Sequence, residues 1–230
     1  MGEFIEIAAK GGAFQAFLSL PAAGTGPGVV VLPEIYNVND WVRAVCDLYS
    51  EAGYVALAPD VFWRHEPNLY MAYNPENQQR GRKLATELDT ELALDDLDAC
   101  FSFLRKSSHT NGKVGVVGYC LGGQLAYLSA TRRNPDASSV YYGTRIQHHV
   151  HEARTIRCPT DIHFGELDQS VPVSAAAEIE AVTKDMPHVS VYVYEQAPHA
   201  FGRFGHPPYR PGASGLALQR THDLFSKALR

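Results

Sequence analysis

A cysteine stands where a strand pattern gives way to a helix pattern. Residues 113–118 have the pattern of a short buried strand, and residues 124–130 that of a helix. Cys120 lies between them, with Gly118 and Gly122 two residues to either side. This spacing is typical of a nucleophile elbow, a strained strand-to-helix turn in which glycines leave room for neighbouring backbone. The sequence therefore predicts a nucleophilic thiol.

The position of this thiol at the start of a helix favours reactivity. The partial positive charge of a helix N-terminus stabilises thiolate over thiol, and thiolate is the reactive form of cysteine. The backbone N–H of Leu121 would point toward an oxyanion that develops during attack on a carbonyl. The alternative interpretation is a buried structural cysteine beside a tight glycine-rich turn, since free cysteine is often simply part of a core.

An acid and a base follow two later strand patterns. Asp168 comes shortly after residues 160–164, and His199 shortly after residues 190–194. Groups just beyond the carboxyl ends of parallel strands converge on one crevice although they lie far apart in sequence. We therefore expect Cys120, Asp168 and His199 to meet. Alone, the aspartate would more often be a turn or capping residue, and the histidine would be an ordinary loop residue as often as a base.

The elements that must position these residues are predicted from periodicity and turn residues. Residues 4–7 and 13–20, separated by Gly11 and Gly12, have a hairpin pattern. Strand patterns cover residues 29–32, 54–58, 113–118, 139–142, 160–164 and 190–194, and helix patterns cover residues 40–53, 78–106, 121–132, 173–184 and 216–229. Residues 61–77 lack periodicity and are expected to form a substrate-facing loop.

This alternation of strands and helices predicts the fold class. We expect one α/β domain over residues 1–230, with a mostly parallel central sheet, helices on both faces and an N-terminal hairpin. The apolar segment at residues 29–32 supports a sheet that is covered on both sides, because strands buried on both faces are continuously hydrophobic.

Composition excludes several classes of protein. The chain has 230 residues, of which 45% are hydrophobic, and a formal net charge of −5, so it suits a buried core and lacks a broadly basic surface. No apolar run approaches the roughly 20 residues that cross a bilayer. The acidic N-terminus does not fit a signal peptide, and the four cysteines form no CxxC pair. We expect a soluble cytoplasmic protein with no nucleic-acid or membrane partner.

Several segments together resemble the dienelactone hydrolases (carboxymethylenebutenolidases), a family with the α/β-hydrolase fold. The resemblance covers nearly the whole chain. It is carried by residues 118–123 and 111–115, by Pro33-Glu34-Ile35, by Pro59-Asp60, and by Ala197-Pro198-His199 followed by Phe201. The order nucleophile, acid, histidine is also that of the α/β-hydrolase fold and differs from the orders in the chymotrypsin and subtilisin folds.

The resemblance implies a cysteine hydrolase with a catalytic triad. In it, Cys120 is the nucleophile, His199 the general base and acid, and Asp168 the residue that orients the imidazole. A small-molecule lactone or ester is the implied substrate.

Two further roles are implied next to this triad. Glu34 would take part in activating the thiol, and the N–H groups of Leu121 and Ile35 would form the oxyanion hole. The alternative for Glu34 is a capping or salt-bridged carboxylate, because such groups are common near helix starts.

Arginines hold the carboxylate of the family's lactone substrate. Arg203, four residues after His199, matches one of them. The region of the second contains Arg80 and Arg82, whereas Gln78 stands at the matching position. A guanidinium suits a carboxylate because two N–H groups donate to it at once. A solvated surface charge is the alternative for each arginine.

Aromatic residues near the predicted site are candidates for lining a pocket that accepts a flat ring. They are Tyr36, Trp63 and Tyr142, together with Phe62 and Tyr119. Aromatic side chains also dominate cores, so packing is the alternative.

A histidine cluster superficially suggests a metal site. His148, His149 and His151 lie in a charged, irregular segment without an accompanying cysteine or carboxylate motif, so a solvated loop is expected. We predict no metal and no organic cofactor.

The sequence thus favours opening of a lactone, or cleavage of an activated ester, through a thioester at Cys120. Three alternatives stay open. One is a general carboxylesterase of the same fold, and another is a non-catalytic ligand-binding protein that keeps the scaffold. The third is a thiol redox sensor, which usually needs a resolving cysteine.

Overall fold

Strands and helices alternate through residues 2–230, the part of the chain that the computed structural model describes. The strands are β1 (Glu3–Ala9), β2 (Gly12–Ser19), β3 (Gly26–Leu32), β4 (Val55–Pro59), β5 (Thr110–Tyr119), β6 (Ala137–Tyr141), β7 (Thr160–Gly165) and β8 (Val189–Tyr194). The helices are α1 (Asp40–Glu51), α2 (Pro75–Glu87), α3 (Thr90–Lys106), α4 (Leu121–Arg132), α5 (Ser174–Thr183) and α6 (Pro211–Leu229). Two short 3₁₀ helices, Ile146–His148 and Val150–Thr155, lie between β6 and β7.

The chain divides into two compact units, the first ending at Val116 and the second running from Val117 to Arg230. Within the first unit the strand order is β1-β2-β4-β3, followed by β5, which continues into the second unit. Within the second unit β5 is followed by β6-β7-β8. The prediction of a single domain over residues 1–230 stays a prediction.

The first unit contains the predicted N-terminal hairpin. β1 and β2 pair antiparallel, and Gly11 in their turn has a φ of +87°. β2 also pairs antiparallel with β4, whereas β3 and β4 are parallel, with Val29 opposite Ala56. Residues 29–32 of β3 are fully buried, as are residues 55–58 of β4. Helices α1 and α3 pack against this part of the sheet, which explains its continuous hydrophobicity.

The second unit positions three loops at the carboxyl ends of parallel strands. β6 pairs parallel with β7, and β7 with β8, with Gly165 opposite Tyr194. Helix α4 packs on β6, α5 on β8, and α6 on β6 and β7. The predicted fold class is confirmed: a mostly parallel sheet of eight strands, flanked by helices.

One predicted helix is wrong. Residues 78–106 do not form a single helix, because the chain is extended at Leu88, with ψ of 121°, and a second helix begins after Asp89. The Asp89 carboxylate accepts hydrogen bonds from the N–H groups of Glu91 and Leu92 at 3.0 and 3.1 Å, which makes it the N-cap of α3. The apolar residues keep a helical spacing across the break, so the sequence pattern does not show it. At the break the Asp89 side-chain oxygen, instead of backbone carbonyls, accepts from the N–H groups of Glu91 and Leu92.

Three boundaries also differ from the prediction. The irregular segment after β4 ends at Asn74, whose side-chain oxygen caps α2 by accepting from the Asn77 N–H at 2.8 Å. The last helix begins at Pro211 rather than near residue 216, since proline is tolerated in a first helical turn. The strand predicted over residues 113–118 begins earlier, at Thr110, and includes Gly112 with a φ of +84°.

We expect Asp89→Ala to lower the free energy of unfolding by about 1 kcal/mol, because two N–H groups at the start of α3 lose their acceptor. Asp89→Asn keeps a side-chain oxygen and is expected to match the wild type. Urea unfolding followed by circular dichroism measures both variants. Equal stability of all three proteins would show that this cap does not hold the break between α2 and α3.

Candidate active site

The turn between β5 and α4 holds Cys120 in a strained backbone conformation. Its φ is +57° and its ψ is −110°, a region that residues other than glycine rarely adopt. The Cys120 N–H donates to the Tyr141 carbonyl at 3.1 Å, and the Cys120 carbonyl accepts from the N–H groups of Gln124 and Thr144 at 3.1 and 3.0 Å. These backbone hydrogen bonds hold the strained residue in place.

The glycines around this turn are required by close backbone contacts. A Cβ at Gly118 would lie 1.9 Å from the Gly122 carbonyl oxygen, and one at Gly123 would lie 2.5 Å from the Tyr141 oxygen. Real Cβ atoms do not come so close, so a side chain at either position would displace the backbone that holds Cys120. Gly118 of the predicted elbow therefore has a direct steric explanation, and Gly123 is required for the same reason.

Asp168 and His199 meet beyond the ends of β7 and β8. The His199 Nδ1 lies 2.7 Å from Asp168 Oδ2. The other carboxylate oxygen, Oδ1, accepts from the N–H groups of Ser170 and Val171 at 2.7 and 3.0 Å. Only 1% of the Asp168 side chain is exposed, against 22% of the His199 side chain. The carboxylate is therefore fixed by its own loop, and it presents one oxygen to the imidazole.

Backbone contacts tie these two loops together. The Leu167 N–H donates to the Ala197 carbonyl at 2.9 Å, and a Cβ at Gly165 would lie 2.4 Å from the same carbonyl oxygen. The Glu166 carboxylate accepts from the Gln196 N–H at 2.8 Å. The pair of Asp168 and His199 thus depends on direct bonds between neighbouring loops of parallel strands.

The side chain of Cys120 also influences the pKa of the His199 imidazole. Since Nδ1 faces Asp168, the second ring nitrogen is available for the sulfur. Burial alone would lower the pKa of the imidazole, and this is the largest single influence on it. The negative charge of Cys120, the hydrogen bonds with Asp168 and Cys120, and the charge of Asp168 together outweigh burial and raise the pKa of His199 to about 10. The second unit thus contains a hydrogen-bonded pair of imidazole and carboxylate that interacts electrostatically with the Cys120 side chain.

Aromatic rings pack against the far side of this imidazole. The Tyr142 ring centroid lies 5.1 Å from that of His199 in an edge-to-face arrangement, and 5.3 Å from that of Phe201. Tyr142 and Phe201 are both fully buried. Tyr142, predicted to bind substrate, therefore contacts His199 and the core, where it restricts rotation of the imidazole.

The predicted site residues of the first unit lie after β3. Glu34 is 1% exposed, and its Oε2 accepts from the Tyr73 hydroxyl at 2.9 Å. The Tyr36 ring is buried and lies 4.6 Å from the Tyr73 ring. Ile35 is half-buried, and α2 approaches it so closely that a Cβ at Gly81 would lie 2.2 Å from the Ile35 carbonyl oxygen. Tyr73 gave no signal in the sequence, because its contact with Glu34 joins residues 39 positions apart.

Two other candidates of the first unit have defined partners there. The Trp63 indole N–H donates to Asp96 at 2.7 Å, and its ring lies 5.7 Å from that of Phe14. The Arg80 guanidinium forms an ion pair with Glu66.

Arg203 lies in the second unit, on the turn that follows His199. Its backbone N–H donates to the Ala200 carbonyl at 3.0 Å, and its guanidinium donates to the Pro207 carbonyl at 3.4 Å. Its side chain is half-buried. Because Arg203 follows His199 by four residues, its charge lies on the same loop as the imidazole.

The histidine cluster belongs to the two 3₁₀ helices. Its central member, His149, lies 2.9 Å from Glu152 through Nδ1, and Glu152 also pairs with Arg132 at 2.5 Å. His148 and His151 are exposed. Across residues 2–230, no three His, Cys, Asp or Glu side chains are grouped to hold a metal ion. In the same range no helix is long and apolar enough to span a membrane.

A cysteine on a strand-to-helix turn, followed along the chain by an acid and a histidine after later strands, is an arrangement typical of the class of α/β-hydrolase-fold proteins. Solved structures agree with this class: a putative dienelactone hydrolase from Klebsiella pneumoniae superimposes with a TM-score of 0.87, at 24% identity, over 99% of this chain and 98% of that one.

Sequence comparison identifies the family. The dienelactone hydrolase family matches residues 14–229. A carboxymethylenebutenolidase from Pseudomonas sp. (strain P51) is 35% identical over 228 residues, covering 98% of this chain and 95% of the relative. One from Pseudomonas putida is 32% identical, covering 94% of this chain and 92% of the relative. The chain belongs to the dienelactone hydrolase family, and it is a hydrolase of lactone or ester bonds.

Removal of the thiol is expected to lower the pKa of His199. In Cys120→Ala the imidazole loses the attraction of the sulfur anion and one hydrogen bond, whereas burial and the contact with Asp168 remain. Titration of the histidine ring protons by NMR, with His199→Gln used to assign the signal, measures the change. An unchanged pKa in Cys120→Ala would contradict an ionic interaction between the two side chains.

Proposed function

We propose that this enzyme opens a lactone, or cleaves an activated ester, through a Cys120-His199-Asp168 triad and a thioester intermediate. The observation that carries the proposal is the 2.7 Å hydrogen bond between Asp168 and His199. Interactions with Cys120 and Asp168 that raise the pKa of this imidazole to about 10 support it further. An imidazole that keeps its proton beside the sulfur favours the thiolate, which is the nucleophile.

The first step forms the thioester. The Cys120 sulfur anion attacks the substrate carbonyl, and the Leu121 N–H, at the start of α4, donates to the developing oxyanion. Collapse of the tetrahedral intermediate breaks the bond between the acyl carbon and its ring or ester oxygen. That leaving oxygen takes the proton of the His199 imidazolium, while Asp168 keeps the ring oriented through Nδ1.

The second step restores the thiolate. Neutral His199 accepts a proton from water as the water oxygen bonds to the acyl carbon. The carbon–sulfur bond then breaks, the carboxylic acid leaves, and the thiolate again faces an imidazolium. Every proton is supplied by substrate, water or His199, so the cycle needs no further reactant. The roles of Glu34 in thiol activation and of the Ile35 N–H as a second oxyanion donor stay predictions from the family resemblance.

The substrate proposal concerns a lactone that carries a free carboxylate. Relatives named carboxymethylenebutenolidase support it, and Arg203 supports it from the loop that follows His199. Arg80 is already paired with Glu66, and Trp63 with Asp96, so these side chains are weaker candidates for binding the substrate. Tyr36 and Tyr142 are buried, which favours a packing role for their rings.

The redox-sensor alternative is less well supported than hydrolysis. Cys46, Cys100 and Cys158 are buried, and burial raises the pKa of each thiol. A resolving cysteine must instead supply a reactive, accessible sulfur. The cytoplasmic location stays a prediction.

Turnover of p-nitrophenyl esters, simple lactones and dienelactones tests the triad. We expect Cys120→Ala and His199→Gln to lower kcat by about 10³-fold or more, since removal of a triad member leaves only binding and oxyanion stabilisation. Cys158→Ala is the matched control, because it removes another buried thiol of the second unit and should retain activity. Full activity in Cys120→Ala would overturn the mechanism and leave other α/β-hydrolase chemistries, whereas an inactive wild type would favour a ligand-binding protein.

Comparison of charged and neutral lactones tests carboxylate recognition. We expect Arg203→Ala to lower kcat/KM about 10- to 100-fold for a lactone bearing a carboxylate, because a charge-assisted hydrogen-bonded pair is lost. The loss should be smaller for a neutral ester. Arg210→Ala serves as the control. The Arg210 side chain is exposed, and its guanidinium donates to the backbone carbonyls of Pro208 and Tyr209. Equal losses on both substrates would indicate a general carboxylesterase.

A further inference from the structure

Tyr141, the last residue of β6, connects the turn of Cys120 with helix α6. Its backbone carbonyl accepts from the Cys120 N–H at 3.1 Å, and its hydroxyl lies 2.8 Å from the Thr221 Oγ1. Tyr141 is 2% exposed and Thr221 is fully buried. Tyr141 therefore contacts helix α6 through its side chain and the residue that follows β5 through its backbone carbonyl.

The direction of this hydrogen bond follows from its neighbours. The Thr221 hydroxyl donates to the Ala217 carbonyl one helical turn earlier, at 3.1 Å. With its single proton directed to that carbonyl, we assign Thr221 Oγ1 as the acceptor from the Tyr141 hydroxyl at 2.8 Å and from the Ser139 hydroxyl at 2.7 Å. The His163 Nε2 also lies 3.4 Å from this oxygen. Loss of Thr221 Oγ1 would leave two buried hydroxyl groups without their acceptor, which is costly in a core.

A buried histidine completes this cluster. His163 Nδ1 lies 2.9 Å from the Tyr194 hydroxyl, which accepts from Arg220 at 3.1 Å, and its Nε2 lies 3.2 Å from Ser139 Oγ. Burial, assisted by the charge of Arg220, lowers the pKa of His163 to about 3, so the ring is neutral at physiological pH. With Nδ1 assigned as the acceptor from Tyr194, Nε2 carries the ring proton and faces Ser139 Oγ at 3.2 Å and Thr221 Oγ1 at 3.4 Å. This tautomer agrees with the direction assigned to the hydrogen bond from Tyr141 to Thr221.

The same segment reaches the imidazole of the site. The N–H of Tyr142, the residue after Tyr141, donates to the His163 carbonyl at 2.8 Å, and the Tyr142 ring packs against His199. Tyr142 has a φ of +38°, a strained value for a residue with a large side chain. A shift of Tyr141 would therefore move both the Cys120 N–H and the ring that confines His199.

We infer that the hydrogen bond from Tyr141 to Thr221 positions Cys120 and His199 relative to each other, so that Tyr141 and Thr221 are positioning residues for the reaction. This inference rests on the proposed function. Neither residue touches the reacting atoms: they act through the carbonyl of Tyr141 and the ring of Tyr142. The effect is therefore expected in kcat and in thiol reactivity, rather than in substrate binding.

Two variants remove this bond, and two others remove similar groups elsewhere in the second unit. Tyr141→Phe and Thr221→Val delete its donor and its acceptor. Tyr127→Phe deletes another buried tyrosine hydroxyl, which donates to the His149 carbonyl at 3.0 Å. Thr183→Val deletes another buried threonine hydroxyl, which donates to the Ile179 carbonyl one helical turn earlier at 2.8 Å. Thr221→Ser restores the acceptor oxygen without the methyl group.

We expect kcat for a p-nitrophenyl ester to fall about tenfold in Tyr141→Phe and Thr221→Val, with KM within twofold of the wild type. The rate at which iodoacetamide alkylates Cys120, read by mass spectrometry of its peptide, should fall several-fold in the same variants. Thr221→Ser should restore both readouts, and the two control variants should retain them.

Several results would overturn the inference. They are a loss in KM alone, unchanged alkylation in both test variants, equal effects in the controls, or a Thr221→Ser variant as impaired as Thr221→Val. If either Tyr141→Phe or Thr221→Val does not fold, the other test variant and Thr221→Ser still test whether the hydrogen bond affects kcat and thiol reactivity. If the wild type hydrolyses no ester, the proposed function fails. The rates of Cys120 alkylation in the wild type, Tyr141→Phe and Thr221→Val still show whether the hydrogen bond between Tyr141 and Thr221 positions the thiol.

Discussion

The left-handed backbone conformation of Cys120 is the constraint on which the rest of the site depends. It costs on the order of 1–3 kcal/mol for a residue that is not glycine, and it persists only where surrounding bonds over-determine it. Here the end of β6, the first turn of α4 and the following Thr144 supply those bonds. The glycines at 118 and 123 permit the close backbone approach, so the strain and its support come from the same few residues. The strained turn presents the sulfur at the N-terminus of a helix.

The electrostatics of the site follow from that placement. A buried imidazole would ordinarily favour its neutral form, as His163 does in the same unit. The pKa of His199 is raised instead, because its interactions with Cys120 and Asp168 favour the protonated imidazole. The pKa of His163 is thus lowered by burial and by the positive charge of Arg220, whereas the pKa of His199 is raised because its interactions with Cys120 and Asp168 outweigh burial. The difference separates a structural histidine from one suited to proton transfer.

Buried polar groups in the second unit form a supporting layer beneath this chemistry. The side chains of Ser139, Tyr141, His163, Tyr194 and Thr221 are joined to one another by hydrogen bonds. Such a network is stable only when all its members are paired, and it therefore restricts the backbone more strictly than apolar packing does. The network includes Tyr141, the last residue of β6, whose carbonyl accepts from the Cys120 N–H. Core packing in the second unit can therefore influence the positions of the thiol and the imidazole.

The sequence by itself determined the fold class and the identity of the groups that meet. Apolar strands, helix periods and the glycine spacing around Cys120 are local signals, and the alternation of elements places the residues that follow parallel strands at one edge of the sheet. Asp168 and His199 could therefore be paired in advance, and their hydrogen bond agrees with that expectation. Only the tertiary structure decided the break at Asp89, the contact of Tyr73 with Glu34, the pairing of Arg80 with Glu66, and the bond from Tyr141 to Thr221. Apart from the helix break, these join side chains far apart in sequence, and no local periodicity records which hydroxyl or carboxylate a distant residue will face. The break itself depends on competition between a side-chain oxygen and backbone carbonyls for the same N–H groups, which the apolar pattern does not register.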